Sequence, residues 1–239
     1  MLEKIELLRS ETNDYSVLIV WLHGLGAPAE DFEFLADNMS LPENLGVKFI
    51  LPQAPAQSVT LNGGMVMPAW YDIVGLDRNA PQDIDGALCS LQEIESVIQS
   101  EIHNASRGVK VFLGGFSQGG ALALLIATRT SYNLSGVICC SGYLLQDATS
   151  ASATNQIPKR KPPIFICHGE EDDVVVMGRG VANAHFRFAI DEAAGRLKVL
   201  KCEKTVFSEG AHALSENDEI ALPQKFWIGD VVIGIGINY

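Results

Sequence analysis

Gly115-Phe116-Ser117-Gln118-Gly119 is a G-x-S-x-G pentapeptide, the pattern of a serine held in a tight strand-to-helix turn. Its flanks suit that setting. The apolar run Val109 to Leu113 reads as a buried strand, and Gly119 to Ala127, rich in Ala and Leu, opens a helix. Glycines let the backbone pass close to its neighbours, so Ser117 would project at the carboxyl end of its strand, beside a helix N-terminus that favours negative charge. A serine hydroxyl becomes a good nucleophile only when a base takes its proton and a third group orients that base. The plain alternative is a glycine-rich turn with Ser117 as an ordinary helix cap.

A strand-serine-helix elbow is followed along the chain by the acid and then the base, and only His168, His185 and His212 follow Ser117. His185 falls inside a helical pattern, and His168 ends an apolar strand, where packing or loop bonding is its expected role. His212 lies in the small-residue loop Ser208-Glu209-Gly210-Ala211-His212-Ala213, which can present an imidazole above a sheet, and is the preferred base. For the acid, strand Ile164 to Cys167 runs into Glu170-Glu171-Asp172-Asp173. Such a run is usually a solvated acidic turn, and spacing alone does not choose among its members.

Acyl transfer also needs two N–H donors aimed at the developing oxyanion. Gln118 supplies one from its main chain. The run Val17 to Leu22 leads into His23-Gly24-Leu25-Gly26, where the Leu25 amide is the second candidate. Gly24-Leu25-Gly26-Ala27-Pro28-Ala29 also matches the dinucleotide fingerprint G-x-G-x-x-A. That fingerprint calls for an acidic residue at the end of the second strand. Here the strand ends Leu51-Pro52-Gln53-Ala54-Pro55, and Pro28 interrupts the turn. A dinucleotide cofactor is therefore not expected.

The elements that must position these groups are short. Val17 to Leu22, Val47 to Leu51, Val109 to Leu113, Leu134 to Cys140 and Ile164 to Cys167 are near-continuously apolar, as strands buried on both faces of a parallel sheet are. Between them lie helical patterns at Asp31 to Met39, Ile84 to Ser100, Gly119 to Thr130 and Gly178 to Gly195. Ile84, Leu88, Leu91, Ile94, Val97 and Ile98 form the clearest stripe. Strands alternating with helices give an α/β fold in three layers, a mostly parallel sheet with helices on both faces. The 239 residues are expected to form one domain, with an irregular insertion at 57–73, marked by Asn62-Gly63-Gly64 and Pro68, and an atypical tail at 223–239.

Seventeen Lys plus Arg against 29 Asp plus Glu give a net charge of −12, which repels phosphate backbones and argues against a nucleic-acid partner. Five cysteines without a C-x-x-C pair make neither a disulfide framework nor a zinc spacing. Cys139, Cys140 and Cys167 read as small buried hydrophobes, which implies a reducing compartment. Met1 to Ser10 lacks the apolar core of a signal peptide, and no run reaches the ~18 apolar residues of a membrane span. The expected location is the cytoplasm, without stable membrane insertion.

Taken together, His23-Gly24-Leu25-Gly26, Pro52-Gln53-Ala54-Pro55, Asn62-Gly63-Gly64, Pro68-Ala69-Trp70-Tyr71-Asp72, Gly114-Gly115-Phe116-Ser117-Gln118-Gly119-Gly120 and His168-Gly169 form an ordered set. The set resembles the phospholipase/carboxylesterase family of α/β-hydrolases, which includes acyl-protein thioesterases, lysophospholipases and bacterial carboxylesterases. Asn62-Gly63-Gly64 looks more like the bacterial branch. The likeness spans roughly residues 15 to 220. It implies an α/β-hydrolase fold and a Ser-Asp-His triad without metal or cofactor, acting on carboxylic esters and thioesters. Carried over by motif, Ser117 is the nucleophile, His212 the base and Asp172 the acid, with Asp173 where the family commonly has proline. Glu170 stands where aspartate is more usual, Ala213-Leu214-Ser215 replaces the usual run after the histidine, and Pro223 interrupts the expected last helix.

Leu61, Met65, Val66, Met67 and Trp70 crowd the insertion with apolar side chains. They either pack down as a satellite core or wall an acyl groove, for which Leu61, Met65, Met67 and Trp70 are the candidate substrate-binding residues. The same patch could support a homodimer. The expected function is a serine hydrolase cleaving esters of short to medium acyl chains, thioesters or lysophospholipids through an acyl-enzyme, with a small-molecule or acylated substrate as partner. The alternative is a non-catalytic acyl- or lipid-binding protein that keeps the fold.

Overall fold

A computed structural model of the chain describes residues 2–42, 45–76, 80–105, 108–145, 162–167, 226–228 and 231–235. Its centre is a six-stranded sheet in the order β1-β4-β2-β7-β8-β9. The strands are β1 (Lys4–Arg9), β4 (Val47–Pro52), β2 (Val17–Leu22), β7 (Lys110–Phe116), β8 (Leu134–Cys140) and β9 (Ile164–Cys167). β1 is antiparallel to β4, and the other pairings are parallel. All five apolar runs are therefore strands of one sheet. All six residues of β2 are buried. Alternation sends Val17, Ile19 and Trp21 into the core on one face, with Phe49, Leu51 and Phe112. Leu18, Val20 and Leu22 enter the core on the other.

That second face is covered by α2 (Ile84–Asn104) and α3 (Gln118–Arg129). α2 starts at Asp83, whose carboxylate accepts the Gly86 N–H (2.9 Å), a side-chain cap. It runs a turn past the expected end, burying Glu101 as well as Leu91, Ile94, Val97 and Ile98. α3 is buried at each of its first ten residues, Gln118 to Ala127, because it lies under the sheet centre. On the first face the helical pattern at Asp31 to Met39 is realised as a 3-10 turn, Ala29–Phe32, and a short α1, Phe34–Asn38. The pattern at Gly178 to Gly195 lies outside the described residues.

Three elements differ from expectation. β1 adds an antiparallel edge strand that the apolar runs do not include, with Lys4 and Glu6 on one face and Ile5 and Leu7 on the other. β7 extends through Gly114 and Gly115, which pair with Trp21 and Leu22. A Cβ on Gly114 would lie 2.4 Å from the Trp21 ring, so the missing side chain there makes room for a neighbour's. The insertion is a hairpin rather than irregular: β5 (Ala56–Val59) pairs antiparallel with β6 (Met65–Pro68) across a 3-10 turn at Thr60–Asn62. Gly63 and Gly64 take φ of +66° and +83° at its tip. In the tail, β10 (Phe226–Ile228) and β11 (Val231–Ile235) form a second hairpin, and β11 pairs with β3 (Met39–Ser40).

Candidate active site

β7 ends at Phe116 and α3 begins at Gln118, so Ser117 alone makes the turn, with φ 53° and ψ −115°. Residues other than glycine rarely occupy that region. Two backbone bonds hold it: the Ser117 N–H donates to the Cys140 carbonyl at the end of β8 (2.9 Å), and its carbonyl accepts the Ala121 N–H (3.0 Å). The flanking glycines answer a spatial demand. A Cβ on Gly115 would stand 2.4 Å from the Gly119 carbonyl carbon, and one on Gly119 would stand 2.2 Å from the Leu22 carbonyl oxygen. β2, β7 and α3 converge here at backbone contact, which places Ser117 at the carboxyl ends of the central strands.

The loop after β2 lies beside this elbow, since a Cβ on Gly24 would be 3.5 Å from the Ser117 Cβ. Gly26 turns the loop with φ +75°, its N–H donating to the Pro68 carbonyl (2.8 Å), and the Ala27 N–H returns to Gly24 (3.3 Å). Between them the Leu25 amide has no hydrogen-bond partner among the described residues. The Gln118 amide has none either, as the first residue of a helix has no intrahelical acceptor. Two candidate oxyanion donors thus come from adjacent loops.

His23 anchors the first loop from below. Its Nε2 accepts the Ala54 N–H (3.0 Å) and faces Gln53 Nε2 (3.2 Å), while Nδ1 meets the Gly24 carbonyl (2.8 Å). That set fixes a neutral ring with its proton on Nδ1. Burial holds its pKa below the ordinary histidine value, although the Gly24 carbonyl pulls the other way. Gln53 completes the tie by accepting the Ala29 N–H at Oε1 (2.8 Å). The Pro52-Gln53-Ala54-Pro55 motif is therefore the partner of His23.

Of the candidate substrate residues, Leu61 and Met65 are exposed on the hairpin, Met65 at 64%. Met67 is half-buried, and its Sδ lies 3.5 Å from where a Gly26 Cβ would be, over the oxyanion loop. Trp70 departs from expectation. It is 1% exposed, packs against the His23 ring at 5.1 Å and a 38° tilt, and donates its indole N–H to the His23 carbonyl (2.8 Å). It supports the loops and offers no free face to an acyl chain, because its position after β6 turns it into the core. Sequence reasoning also missed the side chain of Gln118, whose Oε1 accepts the Trp70 N–H (3.0 Å) and whose Nε2 donates to the Tyr71 carbonyl (2.7 Å). The presence of Gln53, Trp70 and Gln118 in the motif set is the available signal. Asp172, Asp173, Glu170, Glu171, His168, His185 and His212 lie outside the described residues.

Among the described residues, no group of three or more His, Cys, Asp or Glu side chains is arranged to hold a metal ion, and no helix is long and apolar enough to cross a membrane. A serine on a strained strand-to-helix turn over a parallel sheet of this order defines an α/β-hydrolase. Residues 4–226 match the phospholipase/carboxylesterase family, and the chain belongs to it. It is 37% identical over 177 residues to acyl-protein thioesterase 1 of Yarrowia lipolytica, covering 72% of this chain and 76% of that one. The Saccharomyces cerevisiae acyl-protein thioesterase 1 is 36% identical over 172 residues, covering 70% and 75%. Among solved structures, Zea mays acyl-protein thioesterase 2 superposes with a TM-score of 0.65 at 28% identity, over 79% of this chain and 85% of that one. Arabidopsis thaliana SOBER1 gives 0.65 at 30%, over 74% and 83%. The chain is thus a hydrolase of the ester and thioester class.

Proposed function

We propose that the protein is a serine esterase or acyl thioesterase working through an acyl-enzyme on Ser117. The carrying observation is the strained Ser117 turn set beside the unpartnered Leu25 and Gln118 amides. Ser117 Oγ attacks the acyl carbonyl as His212 takes its proton, and Asp172 holds the imidazole by its other nitrogen. The carbonyl electrons move to oxygen, which the Leu25 and Gln118 N–H groups receive. The intermediate collapses, the bond to the alkoxide or thiolate leaving group breaks, and His212 returns the proton to it. Water activated by the same base then releases the acid and restores Ser117. Leu61, Met65 and Met67 on the hairpin form the acyl wall. The fungal relatives support a thioester among the substrates.

A fluorophosphonate probe tests the nucleophile. The native protein is expected to be labelled, whereas folded Ser117→Ala is not and loses aryl-ester turnover by at least about 10³-fold. Equal labelling of both would move the nucleophile elsewhere. Labelling of neither would favour a non-catalytic acyl-binding protein.

A further inference from the structure

Leu25 and Gln118 reach the candidate oxyanion site from separate loops, and among the described residues no hydrogen bond joins those loops directly. Backbone contact of Gly119 with Leu22 and His23 brings them together, and hydrogen bonds through a third segment complete the tie. One short segment spans them. The Pro68 carbonyl accepts the Gly26 N–H (2.8 Å), one residue after Leu25, and the Trp70 indole donates to the His23 carbonyl (2.8 Å), two residues before it. Leu25 is therefore held from both sides by Pro68–Trp70. The same segment grips the second donor: the Trp70 main-chain N–H and the Tyr71 carbonyl bind the two ends of the Gln118 side-chain amide, at 3.0 and 2.7 Å. Trp70 is pinned in turn, with its carbonyl accepting the Ser90 hydroxyl of α2.

We propose that Trp70 is a positioning residue that fixes the separation of the two oxyanion donors, its two N–H groups bridging the loop after β2 and the start of α3. The proposal rests on the Ser117 reading above. Its physical basis is that preorganised donors act only when held at hydrogen-bond distance from the oxyanion, so loosening one by a fraction of an ångström costs transition-state binding rather than ground-state binding. A residue that merely filled the core would instead affect the folded fraction.

Trp70→Phe keeps an aromatic ring and removes the indole donor. With the folded fraction measured separately, kcat on a short aryl ester is expected to fall by roughly tenfold to a hundredfold while KM stays within about threefold. Affinity for a trifluoromethyl ketone, whose serine adduct carries an oxyanion, should weaken by the same factor as kcat. Gln118→Met, which keeps the main-chain N–H but loses the side-chain grip, should show the same signature, and the double variant should lose less than the product of the two. Ser96→Ala cuts the Ser96 Oγ bond to the Gln92 carbonyl (2.9 Å) on the exposed side of α2 and is expected to leave kcat and ketone affinity unchanged. Variants that lose only stability, or only KM, with ketone affinity intact would overturn the proposal. Failure of the Ser117 reading is a separate outcome, seen as an unlabelled wild type.

Discussion

At Ser117 the backbone occupies a conformation that costs about 1–3 kcal/mol, and the neighbouring atoms explain how the cost is met. Gly115 and Gly119 admit the contact of β7 with α3 and β2, and the Cys140 carbonyl takes the Ser117 N–H. His23 plays the corresponding part under Leu25, and its burial has a consequence in pH. Its pKa is lowered in the folded chain, so between that value and the unfolded value of about 6.5 the unfolded state binds more protons. Stability from a neutral His23 is complete above about pH 6.5 and declines as pH falls below it. Urea unfolding from pH 7.5 to 5.0 should show this decline in wild type and a shallower one in His23→Gln. Equal slopes would show that His23 does not contribute it.

Among the elements, the β5–β6 hairpin was the hardest to read in the sequence. A half-exposed hairpin has no continuous apolar run, and Pro68 in it breaks the alternation while serving as a carbonyl acceptor for the oxyanion loop. α2 was legible because its stripe recurs at spacings of three and four, and the central strands because both faces are buried. The hairpin leaves Met65 and Val66 at 64% and 66% exposure and sets Met67 above Gly26. If this face receives the acyl chain, each methylene buried adds up to ~0.8 kcal/mol, about fourfold in kcat/KM, until the face is filled. A series of p-nitrophenyl esters from acetyl to octanoyl should therefore climb and level off, and Met65→Ser/Met67→Ser should flatten the climb. An unchanged profile in that variant would remove the hairpin from the acyl site.

Across the whole molecule, the outer edge of the sheet is stitched to α2 by charge. Glu101, 2% exposed, binds Lys4 and Lys48 with its two oxygens, and Glu6 binds the same two lysines at 2.9 and 2.8 Å. Burial lowers the lysine pKa values, but the Glu101 and Glu6 carboxylates outweigh it and raise them overall. The Tyr15 hydroxyl donates to the Glu101 carbonyl (3.1 Å), fixing the last turn of the helix. Glu101→Ala leaves Lys4 and Lys48 sharing only Glu6, which is 45% exposed, and should lower the unfolding free energy by about 1–2 kcal/mol. None of these groups touches the Ser117 elbow, and activity per folded molecule should be unaltered. Equilibrium denaturation together with active-site titration would check both halves, and a stability change below about 0.5 kcal/mol would show the network to be solvent-screened.

The α/β layering, the five parallel strands, the serine elbow and the loop facing it are legible in residue order alone. Each of these is written in local pattern: buried runs, a helical stripe and glycines at fixed spacing. The roles of the remaining motif residues emerge only when the chain is folded. Nothing in the spacing of His23, Gln53, Trp70 and Gln118 says that they bond one another, because His23 meets Gln53 across 30 positions and Trp70 across 47, and Trp70 meets Gln118 across 48. Trp70 looked like an acyl contact as long as only its apolarity was visible. Its place in the fold, with both N–H groups buried and therefore obliged to find acceptors, made it the brace between two loops.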